Sequence, residues 1–263
     1  MCAKNNFFLI LLLPFFSCVE INNDGTYNSN KKITDSTQTK SDVWEIESEF
    51  YTTYFLNKLK IEITATRPHK SDTAIHLCIP AAFTLLDNKS IDGLFIGKGK
   101  IAGTSIVNHR LGGGFLIIND SISIIKTNNG KILSTNFIDS ISKLNASFFQ
   151  QIQLVRDGEV LEFHKDQKLF QRRAVVIFVS GKIAMIESKT PITLQEFSND
   201  LIKLQVQNAI YTDMGSYDEG WVRSPKDKTV KSIGKNRSQT KYQSNWLIFK
   251  NNFINNQYTK IKN

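Results

Sequence analysis

Arg172–Asp213 reads RRAVVIFVSGKIAMIESKTPITLQEFSNDLIKLQVQNAIYTD, and its periodicity changes twice within that span. Ala174 to Val179 and Ile183 to Ile186 are apolar, β-branched runs on either side of Ser180-Gly181-Lys182, the pattern of a hairpin. After Pro191 the spacing becomes helical. Thr193 stands three residues before Glu196, as in a capping box, and Leu194, Phe197, Leu201 and Leu204 fall on one face. Ala209, Ile210 and Tyr211 then read as a short buried strand. A helix so placed can cross back over the sheet and deliver Asp213 at a strand end. The fold class expected is α+β, a mixed, sheet-rich single domain with few helices.

The strand signal continues on both sides of this span. Leu59, Ile61, Ile63 and Ala65 alternate with Lys60, Glu62 and Thr64, the period of a half-buried strand. Leu116 to Ile125 holds two apolar bursts around Asn119-Asp120, and Ile152 to Leu161 repeats the device around Asp157-Gly158. A second helical segment is expected over Phe137 to Leu144. Downstream of Tyr211 the chain runs into Asp213, Gly215, Ser216, Asp218, Glu219, Gly220 and Trp221. Acids and glycines at the exit of a rigid strand are a common setting for binding or catalytic groups, and a solvated acidic turn is the plain alternative.

The N-terminus carries one charge at Lys4, an apolar run Phe7 to Phe16, then Ser17 and Cys18. The run is far shorter than the roughly 20 residues of a membrane-spanning helix and reads as an export signal over residues 1–17. A small residue directly before a cysteine resembles a bacterial lipobox, which makes Cys18 the lipidation site; an ordinary signal with an incidental cysteine is the alternative. Residues 18–42 are polar and offer almost nothing to bury, as in a disordered tether. One domain is expected over 43–250, followed by a polar tail over 251–263. With Cys2 in the signal and Cys18 lipidated, Cys78 stands alone in an apolar run and reads as packed. The formal net charge of +9 comes from widely spread lysines interleaved with acids. A nucleic-acid partner is therefore not expected, since a clustered basic stripe is missing.

Several motifs fail on spacing. Gly93 to Lys100 lacks the glycine spacing and the Ser or Thr of a phosphate loop. Met214 and Asp218 stand where a G-x-S-x-G elbow around Ser216 needs glycines. His69, His76, His109 and His164 show no paired metal-ligand spacing, so no metal site is read, and any cofactor is left unknown. Gly112-Gly113-Gly114 reads as a tight bend or a ligand-approach loop. Two carboxylates commonly drive glycoside hydrolysis, which makes Asp213 with Asp218 or Glu219 a candidate set. Arg172 and Arg173 could grip a phosphate bidentately or stand solvated at a sheet edge.

The succession Pro80-Ala-Ala-Phe-Thr84, Gly112-Gly-Gly-Phe115, Phe149-Gln-Gln-Ile-Gln-Leu-Val155, Arg172-Arg-Ala-Val-Val176, Glu187-Ser188, Asp213-Met-Gly-Ser216 and Gln243-Ser-Asn-Trp246 resembles the phosphodiester glycosidase family, closest to its lipoprotein-like bacterial branch. The resemblance implies a hydrolase that cleaves the glycosidic bond of a sugar phosphodiester or phosphoglycan. It implies a site gathered from distant strand ends: Asp213, Asp218 and Glu219 as catalytic groups, and Arg172, Arg173, Gln151, Gly215, Ser216 and Asn245 toward substrate. Pro80-Ala81-Ala82-Phe83 stands where many members carry Asn-Gly-Gly-Phe, and Met214 alters the Asp-Gly-Gly loop. A non-catalytic glycan-binding lipoprotein of the same fold is the rival reading. The expected location is the bacterial cell envelope, with the membrane as partner only through a lipid anchor.

Overall fold

The computed structural model describes residues 42–251 except 104, 164–165, 215–217 and 235–237. Cys18, the expected tether up to residue 41 and the tail from residue 252 lie outside the described residues, as do Gly215, Ser216 and His164. The strands are, in chain order, β1 (Asp42–Glu47), β2 (Tyr51–Asn57), β3 (Leu59–Thr64), β4 (Ile75–Pro80), β5 (Phe95–Gly97), β6 (Lys100–Ile101), β7 (Gly113–Ile118), β8 (Ser121–Lys126), β9 (Ser147–Gln151), β10 (Gln153–Arg156), β11 (Glu159–Val160), β12 (Arg173–Phe178), β13 (Ile183–Ser188), β14 (Val206–Tyr211), β15 (Gly220–Arg223), β16 (Val230–Ile233) and β17 (Trp246–Asn251). Helix α1 (Thr135–Lys143) lies between β8 and β9, and α2 (Leu194–Lys203) between β13 and β14.

These strands form three antiparallel sheets: a seven-stranded one ordered β1-β2-β13-β12-β14-β10-β11, and two five-stranded ones ordered β16-β15-β4-β17-β3 and β6-β5-β9-β7-β8. The α+β expectation is corrected by this. With three sheets and two α-helices among the described residues, the protein is mostly β. Helical periodicity is confined to the two segments where the sequence showed it. The remaining connections, such as residues 81–94 and 224–229, close by turns, so among the described residues only single helices, not a layer of them, pack on the sheets.

The span Arg172–Asp213 folds as its pattern dictates. β12 and β13 pair in register from Arg173↔Glu187 to Ile177↔Ile183, and Gly181 takes the left-handed conformation (φ 77°) that the turn between them requires. Thr193 caps α2, its hydroxyl accepting from the Glu196 N–H (3.1 Å) while the Glu196 carboxylate accepts from the Thr193 N–H (2.8 Å). The helix carries the chain back across β12, and β14 pairs with the far side of β12 from Tyr211 to Val206.

Alternation along these strands sorts their side chains between two cores. Ala174, Val176, Ala184, Ile186, Ala209 and Tyr211 pack against Leu194, Phe197 and Leu201 of α2. Val175, Met185 and Ile210 point the other way, into a core shared with Leu77, Ile79, Phe95, Phe115, Phe149, Leu247 and Phe249 of the smaller sheets. Burial on both faces explains why β12 and β14 read as continuous apolar runs rather than alternating ones. Each fully buried Phe or Leu contributes roughly 1.5–3 kcal/mol. Cys78 is buried in β4, and burial raises its thiol pKa, so it packs as a small apolar group.

Candidate active site at the strand ends

The end of β4, the start of β12, the end of β14, the β9–β10 junction and the start of β17 meet in one place through main-chain bonds. The Thr212 N–H donates to the Arg173 carbonyl (3.0 Å), Tyr211 N–H to Ile152 O (2.9 Å) and Asp213 N–H to Ala81 O (3.2 Å). Residues far apart in sequence are thereby gathered around Asp213. That aspartate is 5 % exposed, and its Oδ2 accepts from the Thr84 N–H (3.2 Å). The Pro80–Thr84 segment is fixed from the other side by Asn245, fully buried, whose Oδ1 accepts from Ala82 N–H (2.7 Å) and whose Nδ2 donates to Ala82 O (3.0 Å). Asn245 thus acts as an extra strand partner for the main chain. Gln151 is also fully buried; its Oε1 accepts from the Ile152 N–H (2.9 Å), and its Nε2 has no hydrogen-bond partner. Thr212 Oγ1, next to Asp213, is likewise buried without a partner. Buried polar atoms left open in this way are rare, and here two of them accompany the one aspartate.

The two arginines, left open by sequence, occupy different environments. Alternation sends Arg173 into the interior between the sheets, where it is completely buried. Its Nη1 and Nη2 donate to Asp218 Oδ1 and Oδ2 (2.9 Å each), and its Nε and Nη2 donate to Glu187 Oε2 (3.0 and 2.8 Å). Burial opposes the Arg173 charge, but the Asp218 and Glu187 carboxylates outweigh it and raise the guanidinium pKa above its ordinary value. Gly234 has a left-handed backbone (φ 80°), and a Cβ there would collide with the Asp218 carboxylate, so the glycine makes room for the pair. Asp218 is 1 % exposed and fully engaged by Arg173. Glu219 forms an ion pair with Arg67, which also lies over Trp246 and donates to Thr240 O and Lys241 O.

Arg172 faces the α2 side instead. Its Nε and Nη2 donate to the carbonyls of Ile192 (3.1 Å) and Lys168 (2.7 Å), and its guanidinium lies over the rings of Phe170 (5.3 Å) and Tyr211 (5.9 Å). Its nearest carboxylate is Asp166, at 3.8 Å. Main-chain carbonyls fix this cation, and its one described carboxylate partner is long and more than a third exposed, a weaker pairing than the two that hold Arg173. Tyr211, its ring tilted against Phe83 (centroids 5.8 Å apart), has its phenol pushed up to about 12 by burial; Arg172 opposes the shift and the Asp213 charge adds to it. The Tyr211 phenol therefore senses both the Arg172 and the Asp213 charge. Among the described residues no group of His, Cys, Asp and Glu is placed to hold a metal ion, and no helix is long and apolar enough to cross a membrane.

No family model matches the chain, and no curated protein matches it. Solved structures do. The catalytic domain of zebrafish N-acetylglucosamine-1-phosphodiester alpha-N-acetylglucosaminidase, auto-inhibited by its pro-peptide, superposes with a TM-score of 0.55 at 12% identity, covering 81% of this chain and 82% of that one. This chain shares the fold of that glycosidase domain. A hypothetical protein from Synechocystis superposes with a TM-score of 0.51 at 11% identity, over 79% of this chain and 61% of that one.

Three residues of the site escaped the sequence reading. Glu187 as the partner of Arg173 was within reach, because the register set by the Ser180–Lys182 turn places 173 opposite 187. Tyr211 passed for an ordinary core residue, and Thr84 joins the site through its main chain, which no side-chain pattern reveals.

Proposed function

We propose that the protein is a hydrolase that cleaves the glycosidic bond of a sugar phosphodiester at the cell envelope, with Asp213 as its working carboxylate. The observation that carries this reading is the placement of Asp213 at a junction of five strand ends, beside two open buried polar atoms and the charge of Arg172. The shared fold with a phosphodiester glycosidase domain supports it. Asp213 takes a proton from water as the water oxygen attacks the anomeric carbon, or attacks that carbon itself ahead of water. The bond from the anomeric carbon to the phosphate oxygen breaks, and its electron pair leaves on the phosphomonoester. Arg172 offsets the charge developing there. A phosphate is a stable leaving group, so a second carboxylic acid is unnecessary. Asp218 and Glu219, each with a cation of its own, receive no acid role.

Export and lipidation at Cys18 belong to the same proposal, resting on the N-terminal pattern alone. The test is turnover of a synthetic sugar 1-phosphodiester by the purified protein and by Asp213→Asn. Absence of turnover on any such substrate, or full activity in the variant, removes the mechanism. Saturable glycan binding without product would favour the rival binding lipoprotein, a reading motivated by the absence of an Asn side chain at Pro80-Ala81-Ala82.

A further inference from the structure

The geometry points to a second recognition element: we propose that the cleft between the Gly112 turn, the β9–β10 junction and the start of α2 binds the phosphorylated sugar, with Gln153 and Arg110 as its selecting groups. The cleft has a volume of about 580 Å³, within the range of small-ligand sites. Ile152, Leu161, Phe163 and Leu194 give it an apolar wall against which a sugar ring can lie. Arg110, Asn129 and Gln153 provide polar groups, and the carboxylates of Glu162 and Asp166 also line the cleft.

Gln153 is 2 % exposed, its Oε1 has no partner, and its Nε2 makes only a long bond to Val155 O (3.5 Å). Leaving a buried amide oxygen open carries a desolvation penalty that a core residue of similar shape would avoid. Its terminal torsion is soft, so the amide can turn toward a ligand hydroxyl. The main chain is shaped around this residue: a Cβ at Gly113 would sit 2.7 Å from the Gln153 Cβ.

Arg110 is exposed, and among the described residues no carboxylate lies within ion-pair distance of it. Its loop is nonetheless fixed. The fully buried Gln150 accepts from Asn108 N–H (3.0 Å) and donates to the carbonyls of Asn108 (2.6 Å) and Leu111 (2.9 Å), while Asn108 Oδ1 accepts from Arg110 N–H (2.8 Å). A guanidinium held at the rim by its main chain, with its fork outside any ion pair among the described residues, suits a phosphate. Asp166, which lines the cleft, pairs with Arg172 (3.8 Å), so the cleft reaches the arginine assigned to the reaction. The inference rests on the hydrolase reading only in assigning the bound sugar phosphate a place in the reaction.

Titration of the full chain with glucose 1-phosphate, glucose and inorganic phosphate, followed by calorimetry, tests it. Glucose 1-phosphate is expected to bind at least roughly tenfold tighter than either control, the effect of about one charge-assisted contact. Arg110→Gln should weaken glucose 1-phosphate about tenfold and leave glucose unchanged. Gln153→Met should weaken both sugars about tenfold while the melting temperature holds or rises, since an open acceptor is removed. No saturable binding by the wild type, equal affinity in both variants, or inorganic phosphate binding as tightly as the sugar phosphate overturns the proposal. Binding without turnover keeps the cleft and removes the hydrolase reading. Turnover with KM unchanged in both variants keeps the hydrolase and removes the cleft.

Discussion

Replacing Arg173 by Met removes a cation that satisfies two carboxylates at once. The four hydrogen bonds of 2.8–3.0 Å disappear together, and Asp218, its side chain 1 % exposed, keeps no counter-charge; Glu187, at 12 %, can still be hydrated. Stranding one member of a buried pair costs about 3–5 kcal/mol, a large share of the roughly 5–15 kcal/mol that holds a domain together. With a urea slope of about 2–3 kcal/mol per molar, the unfolding midpoint falls by about 1–2 M. The loss should also depend on pH. In the variant one carboxylate is held above its unfolded pKa of about 4, so the folded state binds the extra proton and stability declines as pH rises from about 4 through that raised value. Urea unfolding followed by tryptophan fluorescence at pH 5 and pH 8 measures both effects. Arg173→Met/Asp218→Leu, which removes the cation and the more buried of its two carboxylates and leaves the hydratable Glu187, should regain most of the loss, because apolar replacement of a buried pair is often neutral. A single-variant loss below about 1 kcal/mol, or a double variant no better than the single, refutes the reasoning.

Thr193→Ala opens the capping box of α2 and should cost about 0.5–2 kcal/mol in the same unfolding assay, with turnover unchanged at a temperature where the domain stays folded. Arg172→Gln should lower kcat/KM on a sugar phosphodiester by roughly 10²–10³-fold, as removal of a charge-stabilising donor does, with a far smaller change on a neutral glycoside measured in parallel. Tyr211, with its pKa pushed up to about 12, favours the folded state while protonated. Its contribution is complete below its unfolded pKa near 10 and is lost as pH rises through about 12, so Tyr211→Phe should flatten alkaline unfolding above about pH 10.

What was legible in the sequence was what is local. The β12–β13 hairpin, the cap of α2 and the turns at Asn119-Asp120 and Asp157-Gly158 depend on neighbouring residues, and the left-handed backbone at those positions matches the side chains present. The mostly-β class was missed because one well-marked helix weighed heavily in a chain where, apart from α1, the other described connections are turns and loops. Pairings such as β2 with β13 and β10 with β14 join segments with no shared pattern. The same limit applies to the site. Asp213 and the arginines stood out by type, but nothing near Arg173 in sequence shows that the buried Asp218 will neutralise it, or that Arg172, one residue away, will meet main-chain carbonyls and the more exposed Asp166 instead. Which face each arginine takes follows from alternation; which partner waits there follows only from the tertiary fold.

The most direct test of the central claim is hydrolysis of a sugar 1-phosphodiester in water enriched in oxygen-18, with both products weighed by mass spectrometry. Cleavage at the glycosidic bond places the heavy oxygen on the sugar and none on the phosphomonoester, and the signal disappears in Asp213→Asn. Heavy oxygen on the phosphate would mean attack at phosphorus and would contradict the account.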